Sequence, residues 1–213
     1  MEPTDTLPPP NHHADYPGLA GLRGVIAAAS MAFGRDPMAA VARDLVHLQP
    51  DDRLLDVGCG PGAATRHAAS LGLEVIGVDP LPTMLRTARL CEPRGRVDWR
   101  LGAAEALPVD DGWATVAWTL ASVHHWPDVE AGVREVHRAL RSGGRFVAIE
   151  RRIADTAATG LGSHGWTPPQ AASFAAIAEG AGFVEVRVVE RPAGEGSVLA
   201  VVAERRASAM IVG

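Results

Sequence analysis

The 213-residue sequence predicts an α/β fold built on a doubly wound, mostly parallel sheet. Three observations carry that expectation. The apolar run Leu54-Leu55-Asp56-Val57 stops in a turn with glycine at every second position, Gly58, Gly60 and Gly62, and a helix-like segment follows from Ala63 to Leu71. A second apolar run, Leu73 to Asp79, ends in an acid, and Pro80 and Pro82 then end the strand and open a helix containing Met84, Leu85 and Ala88. The same alternation continues downstream, and alternating strands and helices imply parallel pairing through right-handed crossovers.

Taken in order, Met1 to Pro17 is polar and proline-rich and is expected to form a mobile arm, with Pro8-Pro9-Pro10 stiff and extended. Leu19 to Phe33 and Pro37 to Leu48 read as helices from their Ala, Leu and Val spacing. Pro50-Asp51-Asp52 links them to strand one. Strand three is Val97 to Leu101 and strand four is Trp113 to Thr119. The helix from Asp128 to Leu140 places Val129, Val133, Val136 and Leu140 on one face. Ser142-Gly143-Gly144 reverses the chain, and Arg145 to Glu150 is strand five. Gln170 to Ala181 reads as a helix, Phe183 to Glu190 as strand six and Val198 to Glu204 as strand seven. The turn between the last two, Pro192 to Gly196, is too short for a crossover helix, so they pair antiparallel. Residues 1–50 are expected to form an arm and helices covering the site, 51–205 the main domain and 206–213 a tail.

The glycine turn points to a ligand. Glycines admit φ > 0 and let a ligand approach the backbone, and the helix N-terminus beyond them offers unpaired N–H groups and partial positive charge. Asp56, two residues before Gly58, repels a pyrophosphate but suits an ammonium group, so the ligand carries both charges, as an amino acid does. Asp79 ends the second strand roughly 20 residues past the turn, where a ribose diol is usually held. Ribose and a charged amino acid on adjacent strands suggest S-adenosylmethionine. Plainer readings exist: a tight turn for the loop, a helix N-cap for Asp79 and a solvated loop acid for Glu105. Cys59 matters for its backbone rather than as a reactive thiol.

With these residues in place, the chain resembles class I S-adenosylmethionine-dependent methyltransferases, in particular the small-molecule type 11 group. The family pattern is D-x-G-x-G-x-G, a strand ending in an acid, G-D-A-E-x-L-P, a fourth strand ending near H-H, and L-x-P-G-G. Here those pieces are Asp56 to Gly62, Asp79, Gly102-Ala103-Ala104-Glu105-Ala106-Leu107-Pro108, His124-His125-Trp126 and Leu140-Arg141-Ser142-Gly143-Gly144. They run in order from about Asp52 to Glu150. The resemblance implies a Rossmann-like seven-stranded sheet of order 3-2-1-4-5-7-6 with strand seven antiparallel. It also implies a cofactor site of Asp56, Gly58, Cys59, Gly60, Gly62, Asp79, Pro80, Met84, Ala103, Ala104, Glu105, Thr119 and Leu120. The chain departs from the pattern at Ala103, where the family carries an Asp that accepts from the adenine amino group. It departs again at Ala114, usually Asp, and at Ser142, usually Pro.

The expected chemistry is methyl transfer from S-adenosylmethionine to a small-molecule acceptor. His124 and His125, after strand four at the mouth of the crevice, are the candidate bases, His125 foremost, with pocket shaping as the competing role; in the plainer reading His125 packs and hydrogen-bonds the loop while His124 points away. No metal is expected, because adjacent histidines do not easily reach one ion and no Asp/Glu/His triad is visible nearby. His12-His13 reads as part of a solvated arm. Tyr16, Phe33, His164 and Trp166 are candidates to line the acceptor site. The absence of a large insertion favours a small molecule over protein or RNA.

Two other classes compete. Gly58 to Ala63 also fits the permissive G-x-G-x-x-A dinucleotide fingerprint of nicotinamide oxidoreductases, against which Asp56 and the Gly143-Gly144 turn argue. A non-catalytic relative that binds the cofactor and acts as a regulator or partner protein is kept open by Ala103.

Composition adds bounds. Hydrophobic residues make up 47% of the chain, enough for a substantial core, and a net charge of −5 gives no overall attraction to nucleic acid. All 20 basic side chains other than histidine are arginine. Two cysteines, Cys59 and Cys91, do not suggest a disulfide framework, which fits a reducing compartment. The polar start predicts neither a signal peptide nor a membrane span, so the cytoplasm is the expected location.

Overall fold

The computed structural model describes residues 8–12, 37–92, 94–155 and 164–208. The helix expected over 19–33, His13 and the candidates Tyr16 and Phe33 lie outside the described residues.

Helix α1 (Pro37–Leu45) precedes β1 (Arg53–Val57), α2 (Ala63–Ser70), β2 (Glu74–Asp79), α3 (Pro82–Cys91), β3 (Val97–Leu101) and β4 (Ala114–Leu120). A one-turn 3₁₀ helix (Val123–His125) leads to α4 (Val129–Ala139), β5 (Leu140–Arg151), α5 (Pro168–Gly180), β6 (Phe183–Ala193) and β7 (Gly196–Arg205). The seven strands form one sheet in the order β3-β2-β1-β4-β5-β7-β6. β1 to β5 pair in parallel, while β7 runs antiparallel to both β5 and β6. The order and the antiparallel seventh strand are those expected.

The central strands carry apolar side chains on both faces because helices cover both. On one face Leu55, Val57, Phe146 and Leu199 pack with Val133 and Val136 of α4 and Phe174 of α5. On the other, Leu54, Val75, Trp118 and Val147 pack with Ala42 of α1, Ala68 of α2 and Leu85 of α3. At about 1.5–3 kcal/mol per buried large aliphatic or Phe side chain, these two layers are the main source of stability. At the end of the sheet where β1 begins, Asp52 is 4% exposed and accepts from Arg145 Nη2 at 2.5 and 2.7 Å and from Thr115 Oγ1 at 2.6 Å. That cluster ties β1, β4 and β5 together and leaves the opposite end for a ligand.

Several boundaries differ from expectation, each for a local reason. β5 begins at Leu140, not Arg145. Ala114 pairs with Leu140 and Val116 with Arg145, so the Ser142-Gly143-Gly144 reversal is absorbed as a bulge within a continuous strand. Gly144 is required there because a Cβ would come within 2.8 Å of the Arg141 carbonyl oxygen. The β6–β7 hairpin is tighter than expected, with Ala193 opposite Gly196 and only Gly194-Glu195 between them. α5 starts at Pro168, two residues early, because Thr167 and Gln170 form a reciprocal capping box that tolerates prolines in the first turn.

The arm expectation is corrected for residues 8–12. Pro10 is buried, and its carbonyl accepts from Trp166 Nε1 at 2.9 Å, while that of Pro9 accepts from Gln170 Nε2 at 3.0 Å. Asn11 Nδ2 donates to the Trp126 carbonyl at 3.0 Å. Trp166 and Gln170 are buried, and buried polar hydrogens need acceptors, which this extended segment supplies.

Candidate functional site

The site forms where β1, β2 and β4 end. Gly58 N and Cys59 N both donate to the Val78 carbonyl, at 2.8 and 3.0 Å, so the turn after β1 is pinned to the tip of β2. Gly62 N donates to the Cys59 carbonyl at 3.0 Å and closes the turn into α2. Gly58, Gly60 and Gly62 all have positive φ, at 73°, 54° and 77°. Their surroundings separate them. A Cβ on Gly58 would lie 1.9 Å from Ser122 Oγ, and one on Gly62 would lie 2.2 Å from Trp99 Cη2. A Cβ on Gly60 would meet nothing within 4 Å. Two of the glycines therefore make room for the protein's own side chains, and Gly60 alone borders open space.

Asp79 stands beside that space. Its Oδ2 accepts from Gly60 N at 2.8 Å and its Oδ1 from Leu81 N at 2.9 Å, and it is 6% exposed. Burial pushes its carboxyl above the usual range, against the pull of the Leu81 and Gly60 N–H donors. Each oxygen retains a lone pair, so the group can accept two further hydrogen bonds. Gly102 N donates to the Asp79 carbonyl at 3.2 Å, which sets the β3 loop against the same edge.

Asp56 is only 2% exposed and its Oδ2 accepts from Thr65 Oγ1 at 2.6 Å, tying β1 to α2. The negative carboxylate lies behind the turn, and its bond to Thr65 was not visible in the strand pattern. Burial pushes the Cys59 thiol well above its usual range, and Asp56 and Asp79 push it further.

Among the other predicted residues, Pro80 is exposed and Met84 is buried under the first turn of α3. Ala103 is half-buried and Ala104 packs in the core. Glu105 Oε1 accepts from Asp128 N at 3.1 Å, which fastens the β3 loop to the start of α4. Thr119 is fully buried and its hydroxyl has no hydrogen-bond partner among the described residues, while Leu120 is half-buried.

The histidines after β4 depart from the plainer reading. His124 does not point away: it is 2% exposed, with Nδ1 2.8 Å from Oε2 of Glu150, itself fully buried. His124 Nε2 lies 3.3 Å from His164 Nδ1. His125 is half-buried, with its ring centroid 4.1 Å from that of His124 and 5.2 Å from that of His164. The absence of an acid–histidine triad, assumed from the sequence, is thus overturned by Glu150–His124–His164. The triad joins β5, the 3₁₀ turn and the segment before α5, which are 26 and 40 residues apart. Of the acceptor-site candidates, His164 joins this cluster. Trp166 does not line an opening: it is fully buried, packed at a tilt against Phe174 with ring centroids 5.0 Å apart and bridged to Arg152.

Sequence reasoning missed Glu150, Ser122 and Trp99. A signal existed for the first. Glu150 ends the apolar run Phe146-Val147-Ala148-Ile149 of a central strand, where a buried carboxylate must find a partner. The neighbouring strand offers His124 because Leu120 pairs with Ile149.

The chain's similarities agree with this geometry. Residues 55–148 match the family model described as a methyltransferase domain. An uncharacterized methyltransferase of Mycobacterium tuberculosis is 41% identical over 94 residues, 44% of this chain and 37% of that protein. A ubiquinone biosynthesis O-methyltransferase of Mesorhizobium japonicum is 36% identical over 146 residues, 67% of this chain and 55% of that protein. A SAM-dependent methyltransferase structure from Aquifex aeolicus superposes with a TM-score of 0.70 at 16% identity, over 85% of this chain and 98% of that one. The chain thus spans between about a third and about half the length of these two curated relatives. Residues 55–148 thus carry a methyltransferase domain, on a fold shared with SAM-dependent methyltransferases of known structure.

Proposed function

We propose that this chain binds S-adenosylmethionine at the β1–β2 edge and transfers its methyl group to a small-molecule acceptor. The observation that carries the reading is the pairing of Gly60 with Asp79. The one loop glycine bordering open space donates its N–H to a buried carboxylate that can still accept two hydrogen bonds. A vicinal diol supplies two such donors, and the ribose of this donor fits that need.

The remaining residues fit in part. The Gly58–Gly62 backbone and the first turn of α2 would hold the methionine end, with its carboxylate at the helix N-terminus. Asp56 contributes through its charge behind the turn rather than by contact. Pro80, Met84, Ala103 and Ala104 would border the adenine. Ala103 has no side-chain acceptor, so the adenine amino group falls to backbone carbonyls or to Glu105, whose Oε1 already accepts from Asp128 N.

When bound, the cofactor supplies a sulfonium-activated methyl with a neutral leaving group. The protein's task is alignment, which contributes up to about 7–11 kcal/mol in well-oriented systems. His125, half-buried after β4, shapes the acceptor side or accepts a proton from the acceptor nucleophile. No helix among the described residues is long and apolar enough to cross a membrane.

The name of the Mesorhizobium relative makes hydroxyl-bearing acceptors the first to test. A radiolabelled methyl-transfer screen over small alcohols, phenols, amines and thiols tests the reading, with Gly60→Val as the control that should lose all transfer. Cofactor binding without transfer to any class would favour a non-catalytic regulator instead.

A further inference from the structure

We propose that His124, His125 and His164 form a binding site for a single divalent transition-metal ion, with Zn²⁺ as the best fit. The inference does not depend on the methyl-donor reading. One nitrogen from each of the three rings lies within 4.8 Å of the other two. The separation of His124 Nε2 and His164 Nδ1, 3.3 Å, equals the ligand–ligand edge of a tetrahedral ion with bonds of about 2.0–2.1 Å, which works out at about 3.3 Å. The third ring, His125, is half-buried, with its centroid 5.2 Å from that of His164.

The surroundings are those of a ligand set rather than of a loose cluster. Glu150 fixes the tautomer of His124. With Nδ1 donating to Glu150, Nε2 would present its lone pair on the side of His164 when the ring binds a metal. A carboxylate behind a ligating imidazole is the usual outer support of metal-bound histidine, orienting the ring and raising its basicity. His164 is held in place from the other side. Trp166 exchanges backbone hydrogen bonds with Arg151 and Ile153, at 2.8 and 2.9 Å, and Arg151 Nε donates to the His164 carbonyl at 3.2 Å. His12 stacks 6.1 Å from His124, but its Nδ1 accepts from Gln170 Nε2 at 2.9 Å, so it supports the cluster rather than joining the set.

Three imidazoles and no carboxylate in direct reach favour zinc, nickel, cobalt or copper over magnesium or calcium. A three-histidine set also leaves one tetrahedral position open. Adjacent histidines do not easily reach one ion, but the 3₁₀ turn brings both rings close to His164, with centroids 5.1 and 5.2 Å from its ring.

The test is titration of the metal-stripped full chain with Zn²⁺ chloride by calorimetry, alongside Co²⁺ followed by visible absorption. The expected result is one Zn²⁺ per chain and the d–d bands of tetrahedral cobalt. His164→Ala should weaken zinc binding by at least 100-fold. Glu150→Gln, which keeps an acceptor but removes the charge, should weaken it by roughly 10–100-fold. His67→Gln, on the exposed face of α2, should leave it unchanged. Circular dichroism and melting of each variant separate loss of a ligand from loss of the fold. Equal zinc affinity in wild type and His164→Ala, or a cobalt complex without tetrahedral bands, would overturn the proposal. So would the absence of any binding by the folded wild type, which would leave a hydrogen-bonded Glu150–His124–His164 relay.

Discussion

The three loop glycines look equivalent in sequence, but the structure assigns them different work, and alanine substitution separates it. All three have positive φ, so each alanine incurs the left-handed backbone cost of about 1–2 kcal/mol. For Gly60→Ala that is the whole folding penalty, because its Cβ meets nothing within 4 Å. For Gly58→Ala the Cβ lies 1.9 Å from Ser122 Oγ and 2.6 Å from Ser122 Cβ, so Ser122 must move. Overpacking of that kind adds about 1–3 kcal/mol, for a total of about 2–5 kcal/mol. Binding should follow the opposite order. Gly60→Ala fills the space next to Asp79 and should weaken S-adenosylhomocysteine binding at least tenfold while the fold survives. Urea denaturation and calorimetric titration of both variants measure the two axes. The double variant Gly58→Ala/Ser122→Gly isolates the clash. Removing Ser122 alone leaves the Trp126 indole N–H without its 3.1 Å acceptor, but the double should lose less stability than the sum of the singles. If Gly60→Ala unfolds as readily as Gly58→Ala, or binds normally, the division of roles is wrong.

Three further outcomes are expected. His125→Ala should raise the acceptor or cofactor KM with kcat nearly preserved, as for a pocket-shaping residue; a loss of roughly 10²–10⁴ in kcat with both KM values unchanged would make it the base. Burial, reinforced by Arg205, lowers the pKa of His137 from its ordinary 6.5, so the folded protein favours its neutral form. Its contribution to stability is then complete above pH 6.5 and lost as pH falls through that value toward the folded pKa; the slope of stability against pH below 6.5 should flatten in His137→Gln. Asp79 has a raised pKa, so its carboxylate should protonate while the fold persists, and S-adenosylhomocysteine affinity should fall with pH in the acid range in the wild type but not in Asp79→Ala.

Much of the sheet was legible because its information is local. Val97–Leu101 is bounded as predicted, and the glycine loop and Asp79 lie on adjacent strand tips because β1 pairs with β2 in parallel. What escaped depends on pairing between distant segments. The reversal at Ser142-Gly143-Gly144 reads as a turn, yet Ala114 of β4 holds Leu140 in register and converts it to a bulge. Trp166 reads as a candidate to line the acceptor site, yet the Pro10 carbonyl, 156 residues away, satisfies its indole and allows full burial. Asp56 was placed correctly on its strand, but Thr65, one turn into α2, takes its oxygen. The histidine cluster is the extreme case. His124 and His125 are plain in the sequence, while Glu150 and His164, which give them a common chemistry, arrive from two other elements.

The central claim is that the Gly60–Asp79 edge holds the ribose of S-adenosylmethionine, and calorimetric titration of wild type and Asp79→Ala with S-adenosylmethionine, S-adenosylhomocysteine and NAD tests it most directly. The wild type should bind both adenosyl ligands at one site per chain and ignore NAD. Asp79→Ala should remain folded and lose about 1.5–3 kcal/mol of affinity, the value of hydrogen bonds to a charged group. Unchanged affinity in the variant, or a preference of the wild type for NAD, would contradict the account.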